Sequence, residues 1–361
     1  MSGLCERVAD LRRYAFVTVV GTRIKGKRTN PDRPRSSRNA GVIISGMKKR
    51  YWIAGTATAA ATVAVAAKLL TRPPDADWNK YRDAVFHSEF SRFIDLDGVR
   101  VHYQEAGEKT NPVLVLIHGF ASSTLVWSKV FLSLAEAGFH VIAVDLLGFG
   151  YSGKPRHGEY TIAGQANYLM KLLERLGVKR ATLVGSSYGG AVAATCALDH
   201  AQRVEKLVLV GTVNNNRPLE FKLMRLFGSP LFGDVVSPLL IGSRRLLRQR
   251  MKRVYDRHAW VMDERRVDAR HFPLRAAATQ RAIIRTVRGW DAERISSDAH
   301  LIRQPTLLLW GDNDIEIPLS DGERLHEAIP GSRFVIFLKC GHLPHEEYPE
   351  AFTKLVADFC G

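Results

Sequence analysis

Cysteine is scarce in this 361-residue chain: Cys5, Cys196, Cys340 and Cys360, with no pair at metal-ligand spacing. A zinc ribbon or a thioredoxin-type pair is therefore excluded, and whether Cys340 and Cys360 form a disulfide is left open by spacing alone. The H-E-x-x-H pattern of helix-borne zinc hydrolases is absent. A dinucleotide fingerprint is missing too, because Gly148-x-Gly150 lacks its third glycine and reads as a tight turn. No cofactor and no metal are expected. A long hydrophobic run is also lacking. Tyr51 to Ala67 is uncharged for 17 residues before Lys68 interrupts, marginal against the ~20 apolar residues a spanning helix needs, and Leu69-Leu70 extend it if Lys68 snorkels. Acidic residues are few in the first fifty positions, three against thirteen Lys/Arg.

What the chain does have is Gly185-Ser186-Ser187-Tyr188-Gly189. It follows Ala181–Val184, which reads as a buried strand, and precedes Gly190–Leu198, which reads as a helix rich in small residues. Strand, G-x-S-x-G, helix is the context of a nucleophile elbow. The turn is tight enough to hold its serine in strained geometry, and Gly185 and Gly189 remove the Cβ atoms that would collide. Ser187 is the candidate nucleophile. A serine hydroxyl is weak near neutral pH and needs a base, itself oriented by a carboxylate. Both follow in order, each after an apolar run of strand length. Thr306–Trp310 leads into Gly311-Asp312-Asn313-Asp314, and Phe334–Leu338 leads into Lys339-Cys340-Gly341-His342.

With His118-Gly119-Phe120 after Val113–Ile117, and Asp145–Ser152 after His140–Val144, these motifs resemble the α/β-hydrolase superfamily from about Phe90 to the C-terminus. The resemblance implies a mostly parallel central sheet flanked by helices, with a helical cap inserted after the sixth strand. It implies Ser187 as nucleophile, His342 as general base and Asp314 as the orienting acid. Asp312 competes for the acid role and is expected to be a turn residue or cap. His118 is expected to bond loop backbone, and His345 to make a local hydrogen bond. The oxyanion hole is expected from the backbone N–H groups of Phe120 and Tyr188. Trp127 and Ser122-Ser123-Thr124 read as packing and capping.

A serine at this place excludes epoxide opening and dehalogenation, which in this superfamily use aspartate. Carbon–carbon bond hydrolases do use serine, but they carry a glycine-rich segment where Ala121-Ser122-Ser123 stands and often Trp where Leu343 stands. Cofactor-free perhydrolases share the triad. The expected activity is hydrolysis of a carboxylic ester, lipid-like or medium-chain. Carbon–carbon hydrolysis of the meta-cleavage type or perhydrolysis is the alternative. The intact Ser–Asp–His set argues against a non-catalytic binding protein.

Apolar residues make up 46% of the chain, enough for a sizeable core. The expected organisation is a disordered basic extension over 1–46, an anchor or signal over 47–70 and a linker over 71–88. Hydrolase core follows over 89–212, then a helical cap over 213–299 and core again over 300–361. Met47 is a candidate start. Lys48-Lys49-Arg50 before the apolar segment predicts a membrane-anchored enzyme with its catalytic domain extracytoplasmic, or a secreted one if the segment is cleaved after Ala64-Val65-Ala66. Of the net charge of +16, residues 1–50 carry +10 and residues 217–290 carry +11, leaving −5 for the rest. The basic cap reads either as a solvated face or as a site for anionic headgroups. No nucleic-acid motif accompanies it.

Overall fold

The computed structural model describes residues 65–217, 222–230, 232–255, 258 and 261–361. Eight strands form one sheet: β1 (Ser91–Leu96), β2 (Val99–Ala106), β3 (Val113–Ile117), β4 (His140–Val144), β5 (Ala181–Ser186), β6 (Val204–Val210), β7 (Thr306–Gly311) and β8 (Arg333–Phe337). Their order is β1-β2-β4-β3-β5-β6-β7-β8. Pairings β1/β2 and β2/β4 are antiparallel and all others parallel. β4, β5 and β7 are buried at every position, as strands covered on both faces must be. The β1–β2 hairpin was not anticipated. It turns at Asp97-Gly98, both at positive φ (55° and 77°), the chemistry a two-residue hairpin turn requires.

Two apolar layers sandwich the sheet. Helices Ile162–Arg175 and Tyr188–Asp199 bury Leu169, Leu172, Leu173, Val192 and Cys196 on one face. Phe131–Glu136 and Pro349–Cys360 bury Phe131, Leu134, Phe352 and Val356 on the other. Each such side chain removed from water is worth roughly 1.5–3 kcal/mol. In a parallel sheet all carboxyl ends point one way, and loops gathered there build the site. Here those loops carry Phe120, Ser187, Gly211, Asp314 and His342.

Between β6 and β7 the described residues form helices and no strand, notably Lys222–Gly228, Ser237–Ile241, Arg244–Val254, Glu264–Leu274 and Ala277–Arg288. Much of their positive charge is paired. Arg244 bonds Glu264 and Asp268, Arg248 bonds Glu264, and Arg250 bonds Glu316.

The stretch expected to be a linker is instead a strap against core and cap. The Pro73 and Pro74 carbonyls accept the first free N–H groups of helix Ala277–Arg288, from Ala277 (2.8 Å) and Ala278 (3.0 Å). Asp75 pairs with the buried Lys154 at 3.0 Å. Trp78 packs edge-on against Phe93 and Tyr151. Tyr81 stacks on Phe272 of the cap at 4.4 Å. Two prolines read as a hinge by composition, but their carbonyls are ordinary acceptors, and a helix start offers unspent donors.

The membrane-anchored, extracytoplasmic placement is corrected. Among the described residues no helix is long and apolar enough to cross a membrane. Of the expected 47–70 segment only 65–70 is described, and these residues are helical and include Lys68. The extension over 1–46, the candidate start Met47 and most of the expected anchor lie outside the described residues. Cys196, Cys340 and Cys360 are free thiols.

Candidate active site

Ser187 sits between β5 and helix Tyr188–Asp199 at φ 55° and ψ −118°, a conformation that costs a non-glycine residue about 1–3 kcal/mol. Packing holds it there. Its N–H donates to the Val210 carbonyl (2.8 Å), and its own carbonyl accepts from Gly190 (3.0 Å) and Val213 (3.2 Å). The elbow glycines have no room for a side chain. A Cβ on Gly185 would stand 2.3 Å from the Gly189 carbonyl oxygen, and one on Gly189 2.2 Å from that of Ile117.

Asp314 and His342 arrive from the ends of β7 and β8. His342 Nδ1 lies 2.7 Å from Asp314 Oδ2. Asp314 Oδ1 accepts the N–H groups of Glu316 (2.8 Å) and Ile317 (2.9 Å). Both carboxylate oxygens are thereby fixed, and His342 Nε2 is the imidazole nitrogen not directed at Asp314. Burial pushes the His342 pKa down, but the charge and hydrogen bond of Asp314 outweigh it and the net shift is upward. Gly211, next to the Val210 that holds Ser187, would place a Cβ 3.0 Å from His342 Nδ1. The Ser187 backbone and the His342 ring thus flank the same dipeptide, Val210-Gly211. Among the described residues no hydrogen bond joins the Ser187 hydroxyl to His342; such bonds are often long before substrate binds.

Neither the Phe120 nor the Tyr188 N–H is spent on a backbone acceptor among the described residues. Tyr188 opens a helix of 12 residues, whose dipole favours negative charge at that end. Gly119 faces the serine, since a Cβ there would lie 3.7 Å from Ser187 Oγ. Around the half-buried Phe120 stand Phe149, Tyr188 and Trp290, with ring centroids at 6.3, 6.2 and 5.6 Å.

The other histidines do different things. His118 Nε2 accepts the Leu146 N–H (3.0 Å), and its Nδ1 lies 2.8 Å from the Gly119 carbonyl. It ties two loops together, as expected. Asp312 accepts the Cys340 N–H at 3.2 Å, joining the loops after β7 and β8. The expectation for His345 is overturned. Both ring nitrogens are buried without a hydrogen-bond partner among the described residues. The ring lies 4.3 Å from that of Trp127, and burial pulls its pKa down to about 3. The short helix after His342 buries this ring against Trp127 and Phe352.

Two buried charge centres were missed by sequence reading. Asp145 accepts from the N–H groups of Thr124 (2.7 Å) and Tyr151 (2.8 Å) and meets His102 Nδ1 at 2.6 Å. This anchors the loop that carries Phe120. Its position in the Asp145–Ser152 motif was the available signal. Glu346 binds Arg266 and Arg270 of the cap; nothing local in the sequence links residues so far apart. Among the described residues no group of His, Cys, Asp and Glu is arranged to hold a metal.

A family model described as the α/β hydrolase fold matches residues 112–349. An uncharacterized hydrolase of Bacillus subtilis is 32% identical over 276 residues, covering 74% of this chain and 97% of its own. A 2-hydroxy-6-oxononadienedioate/2-hydroxy-6-oxononatrienedioate hydrolase of Paraburkholderia phymatum is 32% identical over 294 residues, covering 77% and 99%. Among solved structures, a bacterial membrane phospholipase A superposes with a TM-score of 0.65 at 26% identity, covering 86% of this chain and 97% of that one. The chain belongs to the α/β-hydrolase superfamily.

Proposed function

We propose that this chain is a serine hydrolase cleaving carboxylic esters, with a lipid-like or medium-chain acyl group favoured. The observation that carries the reading is the conjunction at the carboxyl ends of β5, β7 and β8. A strained, half-buried serine is held by Val210, whose neighbour Gly211 abuts an imidazole fixed at 2.7 Å by a carboxylate, and the N–H groups of Phe120 and Tyr188 are not spent on backbone acceptors among the described residues.

Ser187 Oγ attacks the carbonyl carbon as its proton passes to His342 Nε2. Asp314 holds the imidazole and offsets the charge it acquires. The carbonyl oxygen takes the negative charge and accepts from the Phe120 and Tyr188 N–H groups; losing one such donor typically costs about 10²–10³ in rate. His342 then protonates the departing alcohol, leaving an acyl-enzyme. Water repeats the cycle, giving its proton to His342 and releasing the acid. Half-buried Phe120, packed on the buried rings of Phe149, Tyr188 and Trp290, supports an apolar acyl group over a charged one.

A second reading, hydrolysis of a carbon–carbon bond, is favoured by the 32% identity to the Paraburkholderia phymatum dienedioate hydrolase. Leu343 and the Ala121-Ser122-Ser123 segment weigh against it. The test sets both substrates side by side on the full-length chain: p-nitrophenyl esters from acetate to palmitate, and a 2-hydroxy-6-oxo-dienoate. Ester turnover that vanishes in Ser187→Ala supports the proposal, and the best chain length describes the pocket. Turnover of the dienoate alone would replace it with the second reading. A wild-type enzyme that fails to react with a fluorophosphonate would remove the serine mechanism altogether.

A further inference from the structure

We propose that Glu346 is a positioning residue for the hydrolysis, joining the helical cap to both halves of the catalytic machinery so that the site is assembled only when the cap is seated. The inference rests on the serine-hydrolase reading above.

Glu346 lies four residues after His342, in the short helix Pro344–Glu347, and its side chain is fully buried. One carboxylate oxygen binds Arg266 and the other Arg270, both from cap helix Glu264–Leu274. The Tyr255 hydroxyl donates to the same carboxylate at 3.0 Å and accepts from Arg270 at 2.7 Å. The same two guanidinium groups reach the other side of the site. Arg266 donates to Ser128 Oγ at 3.0 Å. Arg270 makes a long contact of 3.5 Å to Ser122 Oγ, two residues beyond Phe120. One cap helix thus bridges the loop bearing the imidazole and the loop bearing an oxyanion donor.

Two further contacts run along the same seam. The His342 N–H donates to the carbonyl of Val254, the last residue of cap helix Arg244–Val254, at 3.0 Å. Glu347 takes the Gly341 N–H at 3.1 Å and meets His258 of the cap at 3.0 Å. The cap therefore touches the imidazole's own backbone as well as the turn behind it.

Stability alone does not explain a carboxylate here. A buried ion cluster is often no more stable than apolar residues of the same volume. What a two-armed carboxylate adds is direction, because each guanidinium fork fixes an angle as well as a distance. The arginines override the effect of burial and draw the Glu346 pKa down to about 2, so the clamp stays charged at any pH where the imidazole works.

The experiment uses the full-length chain as wild type, Glu346→Gln, and the triple replacement Arg266→Met/Glu346→Leu/Arg270→Met. Each is measured well below its own melting temperature for the rate at which a fluorophosphonate labels Ser187, and for kcat and KM on the best p-nitrophenyl ester. Misplacing catalytic groups by about 1 Å costs up to ~100-fold, so both variants are expected to label and turn over at least ~10-fold more slowly, with KM within ~3-fold. The triple variant is expected to do so while melting no lower than wild type, which a merely structural role would not produce. Wild-type labelling in either folded variant overturns the inference. Should neither charge variant fold, Tyr255→Phe removes one donor and no charge. A slowing of about threefold or more supports the inference, and an unchanged rate overturns it. A wild type that is not labelled at all counts against the serine mechanism instead.

Discussion

Gly211 offers a test of the Asp314–His342 pair that touches neither residue. Its φ is +49°, and a Cβ there would stand 3.0 Å from His342 Nδ1 and 3.1 Å from Asp314 Oδ2, against the hydrogen bond that joins them. Gly211→Ala therefore incurs two costs. The left-handed backbone costs about 1–2 kcal/mol for an L-residue. The methyl also sits a few tenths of an ångström too close, so the dyad must open. A hydrogen bond between charged partners is worth about 1.5–3 kcal/mol, and losing most of it from the transition state predicts a kcat/KM about 10–100-fold lower at 1.36 kcal/mol per decade. Gly177→Ala separates the two costs. It has φ +75° and nothing within 4 Å of the added carbon, so it should lose the same backbone term and no activity. Urea denaturation and ester kinetics on both variants make the comparison. The pH profile adds a sign. Asp314 raises the His342 pKa, so a loosened dyad should move the acid limb of kcat/KM to lower pH. Gly211→Ala with wild-type kcat/KM and an unmoved acid limb would refute the reasoning.

Four further outcomes follow from the same geometry. Asp314→Asn should lower kcat by about 10³–10⁴ with little change in KM; a loss under tenfold would make Asp314 dispensable. His345→Phe should raise the melting temperature, because it removes two buried, unpartnered nitrogens, each costing ~1–3 kcal/mol; a lower melting temperature would show that a polar group there is needed. The same variant should resist acid. His345 holds its proton only near pH 3 when folded and near 6.5 when unfolded, so the unfolded state binds more protons in between and wild-type stability falls as pH drops through that window, by at most ~1.4 kcal/mol per unit. Parallel stability–pH curves for wild type and His345→Phe would contradict this. Trp290→Ala should shift the chain-length optimum by opening the wall beside Phe120; an unchanged optimum would place the acyl group elsewhere.

How much of this was legible depends on how local each signal is. The elbow, the loop after β7 and the loop after β8 are each written within about six residues, so Ser187, Asp314 and His342 were readable as candidates. The apolar runs at Val113–Ile117, His140–Val144 and Thr306–Trp310 gave strands within a residue of their observed ends. β1 was not readable: Ser91–Leu96 mixes charged and apolar residues and is buried only at Leu96, so its periodicity is weak and only Asp97-Gly98 hinted at a hairpin. Glu346 and Arg266 lie 80 positions apart, and a buried ion pair at that separation leaves no pattern. The basic cap looked like one positive surface because sequence cannot show that Arg244 and Arg248 reach Glu264 across two helices.

The strap, whose contacts with core and cap run from Pro73 to Tyr81, lies ahead of residue 112, where the match to the family model begins. Cap seating is thus set partly by a lead-in that contributes no reacting group. In enzymes of this kind the opening of a lid often limits turnover. Two chains with identical catalytic residues and identical cap helices, but different lead-ins, would then differ in speed through product escape. The tempo of the reaction would be written upstream of the chemistry.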